Sequence, residues 1–187
     1  MDTALGEPAR GFDLICLRPT AVGKATSLHY DYPFFAGSAQ PMINAWIPIG
    51  AAPIQDGPLV IVEGSNRFSD LIDQFLDVDY TADRSNDVVQ SAAYGGASDT
   101  NPIQLVTDRD TRLLTADFQP GDLLLVSMFT LHGSLDNISP NGRVRLSCDV
   151  RFQPAAQPAD DERYFGEYPK GSKGGGYGDM RGAQPLT

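Results

Sequence analysis

Apolar and polar positions alternate over short runs along most of this chain, and residues that favour turns separate the runs. Turn sequences such as Asp56-Gly57-Pro58 and Gln119-Pro120-Gly121-Asp122 mark several of the boundaries. The chain is therefore predicted to be mainly β. The predicted strands are FDLICLR from Phe12, TSLHYDY from Thr26, MINAWIPI from Met42, LVIVE from Leu59, RLLTADF from Arg112, DLLLVSM from Asp122 and RVRLSCDVRF from Arg143.

One helix with a single apolar face is predicted from Phe68 to Asp77, with Ser69 as its N-terminal cap. The polar stretch 77–111 is predicted to be an insertion or lid, and the Gly-rich tail 154–187 to be irregular. We therefore predict one domain over 1–187, with a core of about 12–153, built as a double-stranded β-helix (jelly roll) with one or two short helices. A lipocalin-like barrel or an immunoglobulin-like sandwich is the alternative, although the cysteine pairing of the latter is missing.

Composition narrows the class of protein. The chain has 187 residues, 41% of them hydrophobic, and a net charge of −10 at pH 7. Its positive residues are scattered, so no basic stripe is available to bind nucleic acid. No apolar run reaches the length of a membrane span, the N-terminus lacks the apolar stretch of a signal peptide, and the two cysteines form no disulfide framework. These features predict a soluble, cytoplasmic protein.

Only two histidines occur in the sequence, and both lie in informative positions. His29 and Asp31 are two residues apart in a predicted strand, so their side chains are expected on the same face. His132 follows the apolar run DLLLVSM, where a strand is predicted to end. Two imidazoles and one carboxylate form the facial triad of iron(II) oxygenases, which leaves positions open for other ligands. The alternative is a chance H-x-D tripeptide with two structural histidines.

The run from Arg143 to Phe152 alternates strictly between polar and apolar residues. A strand of this kind most often turns its polar face to solvent. In an iron oxygenase, however, an arginine downstream of the second histidine binds the distal carboxylate of 2-oxoglutarate, because its planar guanidinium pairs with a carboxylate in a bidentate manner. The polar face carries Arg143, Arg145, Ser147, Asp149 and Arg151.

Five motif-like segments follow one another along the chain: HYD at His29, NAWIP at Asn44, DGPLVIVEGS at Asp56, PGDLLLVSMFTLHGSLDN at Pro120 and RVRLS at Arg143. In this order they resemble the phytanoyl-CoA dioxygenase family, and the likeness extends from about residue 12 to 165. The resemblance implies an Fe(II)- and 2-oxoglutarate-dependent dioxygenase whose metal ligands are His29, Asp31 and His132.

The same resemblance implies which residues bind the co-substrate. Arg143, eleven residues after His132, resembles the family's 2-oxoglutarate anchor and is favoured over Arg145 because R-x-x-x-S begins there. Ser134 resembles the serine that helps to hold the same carboxylate, and Trp46 resembles the tryptophan beside the co-substrate. The sequence departs from the family in its short stretch before the H-x-D motif, in Tyr30 for glutamine and in Asn66 for histidine.

The implied activity is hydroxylation of a small organic metabolite by O₂, with release of succinate and CO₂. Asp31 favours hydroxylation or desaturation, because halogenating relatives lack this carboxylate. No basic cluster indicates a CoA-sized substrate. The alternatives are a catalytically inactive family member and a cupin-like small-molecule binder, although cupins offer the metal more histidines. The pocket candidates, for each of which core packing is the alternative, are Tyr30, Tyr32, Phe34, Phe35, Trp46 and Met128.

Overall fold

A computed structural model describes residues 1–35, 41–76 and 101–171 of the chain. Within these residues the helices are few and short, at α1 (Asp2–Leu5), α2 (Ser69–Ile72) and α3 (Pro102–Asp108), with 3-10 turns at Tyr32–Phe34 and Ser65–Arg67. The mainly β class predicted from the sequence is confirmed. The strands are β1 (Ala9–Thr20), β2 (Ile43–Pro48), β3 (Leu59–Val62), β4 (Leu113–Leu114), β5 (Leu124–Ser127), β6 (His132–Ser134) and β7 (Arg145–Pro154).

The strands form two antiparallel sheets, one of four strands in the order β1-β7-β2-β5 and one of three in the order β4-β3-β6. In the larger sheet, Thr20 lies opposite Arg145 and Asn44 lies opposite Arg151. Directly opposed residues of antiparallel strands project to the same face. The register therefore collects polar side chains from β1, β2 and β7 on one face of this sheet.

That polar face of β7 is the buried one. Its side chains are at most 3% exposed, whereas Leu146 on the apolar face is 39% exposed, and Ile15 and Leu17 beside it on β1 are 59% and 62% exposed. The usual interpretation of an alternating strand, with polar residues toward solvent, is wrong here. Charged groups are costly to bury unless partners compensate them, and Asp31 and Arg18 supply such partners to Arg151 and Asp149. The buried residues are Arg145, Ser147, Asp149, Arg151 and Gln153.

Apolar side chains pack in three buried clusters. The first includes Tyr30 and Phe75, the second includes Phe12 and Tyr164, and the third joins Trp46 to Phe118. Tyr164 lies after the last strand and is fully buried, with its ring centroid 5.3 Å from that of Phe12. The segment after β7 therefore packs against the body, and residues 155–171 contain no helix or strand.

The strand predicted from Thr26 is wrong. His29 forms only an isolated bridge with His132, and Asp31 has helical backbone angles (φ −75°, ψ −26°) at the start of the 3-10 turn. Pro33 lies in the first turn of that helix, where it fits because it lacks a backbone N–H. The His29–Asp31 pair is therefore brought together by a turn instead of by strand alternation.

Two further predictions need correction. The helix expected over Phe68–Asp77 is limited to Ser69–Ile72, and Phe68 precedes it without a side-chain capping bond, so Ser69 is not the cap. The stretch 77–111 is not wholly a lid, because α3 buries Leu105 and Val106 in the first cluster. Residues 77–100 and 172–187, parts of the predicted lid and tail, lie outside the described residues.

Candidate metal centre

The two histidines meet through a pair of backbone hydrogen bonds. The N–H of His29 donates to the carbonyl of His132 at 2.8 Å, and the N–H of His132 donates back at 3.0 Å. Their ring centroids are 4.5 Å apart. His132 was expected at the end of a strand, but it begins β6, which pairs with β3 in the smaller sheet. The bridge therefore connects the His29 segment to that sheet and places both rings side by side.

Asp31 completes a three-residue group whose possible ligand atoms all lie within 4.8 Å of one another. Its Oδ1 is 3.5 Å from Nε2 of His29 and 3.9 Å from Nε2 of His132. Side chains of all three residues are at most 10% exposed. Two imidazole nitrogens and one carboxylate oxygen are the donor set of facial iron(II) sites. The residues present therefore fit the metal that the sequence predicts.

Each imidazole has one nitrogen beside a backbone carbonyl. Nδ1 of His29 lies 2.8 Å from the carbonyl of Ser27, and Nδ1 of His132 lies 2.8 Å from that of Thr130. A carbonyl can only accept, so each Nδ1 donates to it, and Nε2 is the nitrogen of each ring that faces Asp31. Burial lowers the pKa of His132 to about 4, helped by the neighbouring His29, so this ring is neutral at neutral pH.

The second oxygen of Asp31 is held from the larger sheet. Asn44 donates to Oδ2 through Nδ2 at 3.1 Å, and Arg151 donates to the same oxygen through Nη2 at 3.4 Å. Burial acts to raise the pKa of Asp31, but Arg151 and the two imidazoles outweigh it and hold this pKa well below its usual range. The carboxylate is thus an anion with one oxygen directed to the imidazoles.

The polar wall continues along the larger sheet. Nδ2 of Asn44 also lies 3.4 Å from Oδ1 of Asp149, and the other oxygen of Asp149 forms an ion pair with Arg18. Three buried side-chain atoms among the described residues have no hydrogen-bond partner, and all three lie on this wall. Buried polar atoms are normally paired, so their concentration here makes this wall a candidate site for a polar ligand. The atoms are Oδ1 of Asn44, Nε of Arg145 and Nε of Arg151.

Arg145 is a buried cation, 3% exposed, whose hydrogen bonds go to hydroxyl groups. It donates to Oγ of Ser147 at 2.6 Å and to Oγ1 of Thr20 at 2.8 Å. Its guanidinium lies over the ring of Trp46, which is 1% exposed. Burial lowers the pKa of Arg145, and the charge of Asp149 opposes this shift without reversing it.

The structure places Arg143 elsewhere than the sequence prediction expects. Its side chain is 46% exposed, forms a 2.6 Å ion pair with Asp56 and donates to the carbonyl of Ala51. It precedes β7 and is not part of the buried wall. Ser134 is half-buried, and its hydroxyl accepts from the backbone N–H of Thr26 at 2.8 Å. Among the predicted co-substrate residues, only Trp46 lies beside a buried arginine.

The predicted pocket residues divide into two groups. Most belong to the buried clusters: Tyr30 packs on Phe75, and Phe35 packs under Arg151 at 4.4 Å. Met128 is 1% exposed in the second cluster. Phe34 differs, because it is half-buried and meets the His29 ring edge-on at 6.1 Å between centroids. Phe34 therefore places an aromatic ring beside His29, although it also packs against the second cluster.

Sequence reasoning missed the groups that hold Asp31. Asn44 stands two residues before Trp46 in an apolar strand, and a polar residue in such a strand indicates a contact inside the protein. Arg151 was noticed only as part of an alternating face. Thr20, at the end of β1, carried no signal, because its contact with Arg145 depends on the pairing of β1 with β7.

These features describe a jelly-roll fold in which two histidines and one carboxylate form a candidate metal site, and comparison with known proteins gives the family and the fold. The sequence model of the phytanoyl-CoA dioxygenase (PhyH) family matches residues 3–145, so the chain belongs to that family. It is 30% identical over 164 residues to the 1-deoxypentalenic acid 11-beta-hydroxylase of Streptomyces exfoliatus, a match that covers 83% of this chain and 53% of that protein.

Solved structures support the fold. The non-heme alpha ketoglutarate dependent carbocyclase SnoK from nogalamycin biosynthesis gives a TM-score of 0.58 at 16% identity, over 83% of this chain and 55% of that one. The epimerase SnoN, in complex with Fe3+, alpha ketoglutarate and nogalamycin RO, gives 0.55 at 20% identity, over 83% of this chain and 54% of that one. The predicted jelly roll is confirmed, and the cupin-like alternative is not favoured.

The chain spans about half the length of the relatives it matches. No helix in residues 1–35, 41–76 and 101–171 is long and apolar enough to cross a membrane.

Proposed function

We propose that this protein is an Fe(II)- and 2-oxoglutarate-dependent dioxygenase that hydroxylates a small organic metabolite. The observation that carries the proposal is the convergence of two imidazole Nε2 atoms on Oδ1 of Asp31, with both Nδ1 atoms engaged by backbone carbonyls. An arrangement of this kind offers one face of an ion three protein ligands and leaves the opposite face to other ligands. Family membership and the printed name of the hydroxylase relative support the same class of reaction.

The triad residues His29, Asp31 and His132 would hold the iron. Bound there with 2-oxoglutarate and O₂, iron(II) supplies the oxidising chemistry that yields succinate, CO₂ and a hydroxylated product. The protein contributes ligand geometry and a buried site from which bulk water is kept away. The carboxylate of Asp31 occupies a position that a halide would need, which supports hydroxylation over halogenation.

Arg145, and not Arg143, is the proposed anchor for the distal carboxylate of 2-oxoglutarate. A buried guanidinium bonded to hydroxyl groups can still gain a bidentate carboxylate, whereas Arg143 already pairs with Asp56 at the surface. Trp46 forms one side of this subsite, since the Arg145 guanidinium lies over its ring. Ser134 remains a proposed contact to the same carboxylate, and Arg143 is the competing assignment that variants must test.

The substrate class proposed is a small metabolite without a large polyphosphate group. Phe34 supplies an apolar surface next to His29. On the buried polar face of the larger sheet, Arg18 pairs with Asp149, Arg151 pairs with Asp31, and Arg145 is assigned to the co-substrate, so these arginines do not indicate a polyphosphate site. We propose that nucleic acid and membrane are not partners, that O₂ is the second co-substrate, and that the protein acts in the cytoplasm.

Release of succinate from 2-oxoglutarate tests the proposed function without knowledge of the substrate. Enzymes of this class slowly convert 2-oxoglutarate to succinate even when no primary substrate is oxidised. The protein is incubated in air with Fe(II) and 2-oxoglutarate, and succinate is quantified by mass spectrometry. Succinate above the level of an Asp31→Ala variant supports the proposal. Equal succinate from wild type and Asp31→Ala, with both proteins folded, contradicts it.

A further inference from the structure

The two oxygens of Asp31 have different surroundings. Oδ1 faces the imidazoles, whereas Oδ2 receives hydrogen bonds from Asn44 and Arg151. Asp31 begins a 3-10 turn outside any strand, and its carboxylate makes no capping bond to that turn. Its side-chain direction therefore depends on partners from elsewhere in the fold.

Asn44 lies on a rigid element. Strand β2 is paired on both sides, with β5 and with β7, so Asn44 has Val126 opposite it on one side and Arg151 on the other. The residue is 2% exposed, and its Nδ2 lies within hydrogen-bond distance of Oδ2 of Asp31 and Oδ1 of Asp149. Only the nitrogen of an amide can donate to carboxylates, so the two acidic groups determine its orientation.

We propose that Asn44 is a positioning residue that keeps Asp31 a single-oxygen ligand of the metal. By occupying Oδ2, the amide holds Oδ1 toward the imidazoles and prevents the carboxylate from rotating to present both oxygens. This inference rests on the proposed function, because it assumes that the triad binds a metal. Partners that orient metal ligands from outside commonly change metal affinity about 10–100-fold when they are removed.

Asn44 allows a cleaner test than Arg151. Removal of Arg151 would delete a hydrogen bond and also a positive charge close to a cation site, and these two changes act on metal affinity in opposite directions. Asn44 is neutral, so a change to leucine removes the donor with little change in size or charge. Val126→Ala is the matched control, because Val126 is buried directly opposite Asn44 and touches no metal ligand through a polar atom.

The test is a Mn(II) titration followed by electron paramagnetic resonance, without 2-oxoglutarate, on wild type, Asn44→Leu and Val126→Ala. We expect Asn44→Leu to raise the Mn(II) Kd by about 10–100-fold, and Val126→Ala to lower the Tm without changing that Kd. The visible spectrum of bound Co(II), which reports coordination geometry, should change in Asn44→Leu and not in Val126→Ala. If the leucine variant does not fold, the smaller and polar Asn44→Ser takes its place, because its hydroxyl is too short to reach the same oxygen.

An unchanged Kd in the folded Asn44 variant overturns the inference, and so does an equal loss of affinity in Val126→Ala, which would indicate general packing. Wild-type protein that binds no Mn(II) would refute the proposed function itself and the inference with it. Failure of the inference alone is distinguishable from failure of the proposed function, because in the first case wild-type protein still binds Mn(II).

Discussion

The guanidinium carbon of Arg145 lies 5.6 Å from the centroid of the Trp46 ring, on the inner face of the larger sheet. A cation over an indole ring gains electrostatic stabilisation, which helps to offset the cost of burying it. Thr20 and Ser147 add hydroxyl acceptors, and within the described part of the chain Arg145 forms no direct ion pair. The arrangement supports the proposal that Arg145 binds an anion.

Substitution of the two neighbouring arginines separates the competing assignments of the 2-oxoglutarate anchor. Arg145→Gln should raise the KM for 2-oxoglutarate at least about tenfold, because truncating one partner of a buried charge pair costs about 2–5 kcal/mol. Arg143→Gln, which removes the ion pair between the half-exposed Arg143 and Asp56 and leaves the buried wall intact, should change that KM little. Succinate formation at varied 2-oxoglutarate concentration measures both values. A larger loss in Arg143→Gln would restore the anchor predicted from sequence.

Gly133 follows a metal ligand and has no room for a side chain. A Cβ there would lie 2.6 Å from the backbone oxygen of Thr26, which cannot move away as a flexible side chain could. Gly133→Ala should therefore destabilise the protein by about 1–3 kcal/mol, the usual cost of overpacking, and should also weaken metal binding by displacing His132.

Gly11→Ala is the matched control for that substitution, because its Cβ would meet Phe152 at 3.4 Å, an ordinary van der Waals distance. Urea unfolding with and without Mn(II) measures both effects. Equal stability of the Gly133 and Gly11 variants would contradict this expectation, because it would show that the backbone around Thr26 shifts to make room for the added Cβ.

Helix α3 belongs to the core, although its sequence suggested a lid. Leu105 is 6% exposed and lies in the first cluster, whereas Ile103 on the same helix is 63% exposed. Leu105→Ala should reduce the free energy of unfolding by about 2–5 kcal/mol, while Ile103→Ala should stay within about 0.5 kcal/mol. Chemical denaturation distinguishes the two, and similar small effects would favour a loosely attached segment.

The sequence was sufficient to predict the mainly β class and the three residues that the fold brings together as a candidate metal site, because both depend on local signals. Alternation marks the strands, and two histidines leave few choices for a metal site. The local structure that joins the triad was predicted wrongly, since the spacing of His29 and Asp31 suits a strand as well as a turn. The helical angles of Asp31 belong to the 3-10 turn at Tyr32–Phe34. The N–H of Tyr32 in that turn donates to the carbonyl of Met128, a contact that spacing in the sequence does not reveal.

The co-substrate anchor shows a different limit. Counting from His132 selects Arg143, but the partner of each arginine decides which of them is buried. Arg143 forms an ion pair with Asp56 and stays half-exposed. Arg145 donates a hydrogen bond to Thr20, which is distant in sequence and is brought close by the pairing of β1 with β7. Neither contact follows from spacing. The same is true of Asn44, whose polar character is visible in sequence while its partner Asp31 is not.

The central claim is that His29, Asp31 and His132 form an iron centre that binds 2-oxoglutarate. Anaerobic addition of Fe(II) and 2-oxoglutarate to the apo-protein, followed by visible absorption, tests it most directly. We expect a weak metal-to-ligand charge-transfer band with wild type that disappears in His132→Ala. Absence of the band from folded wild-type protein, or its persistence in His132→Ala, would contradict the claim.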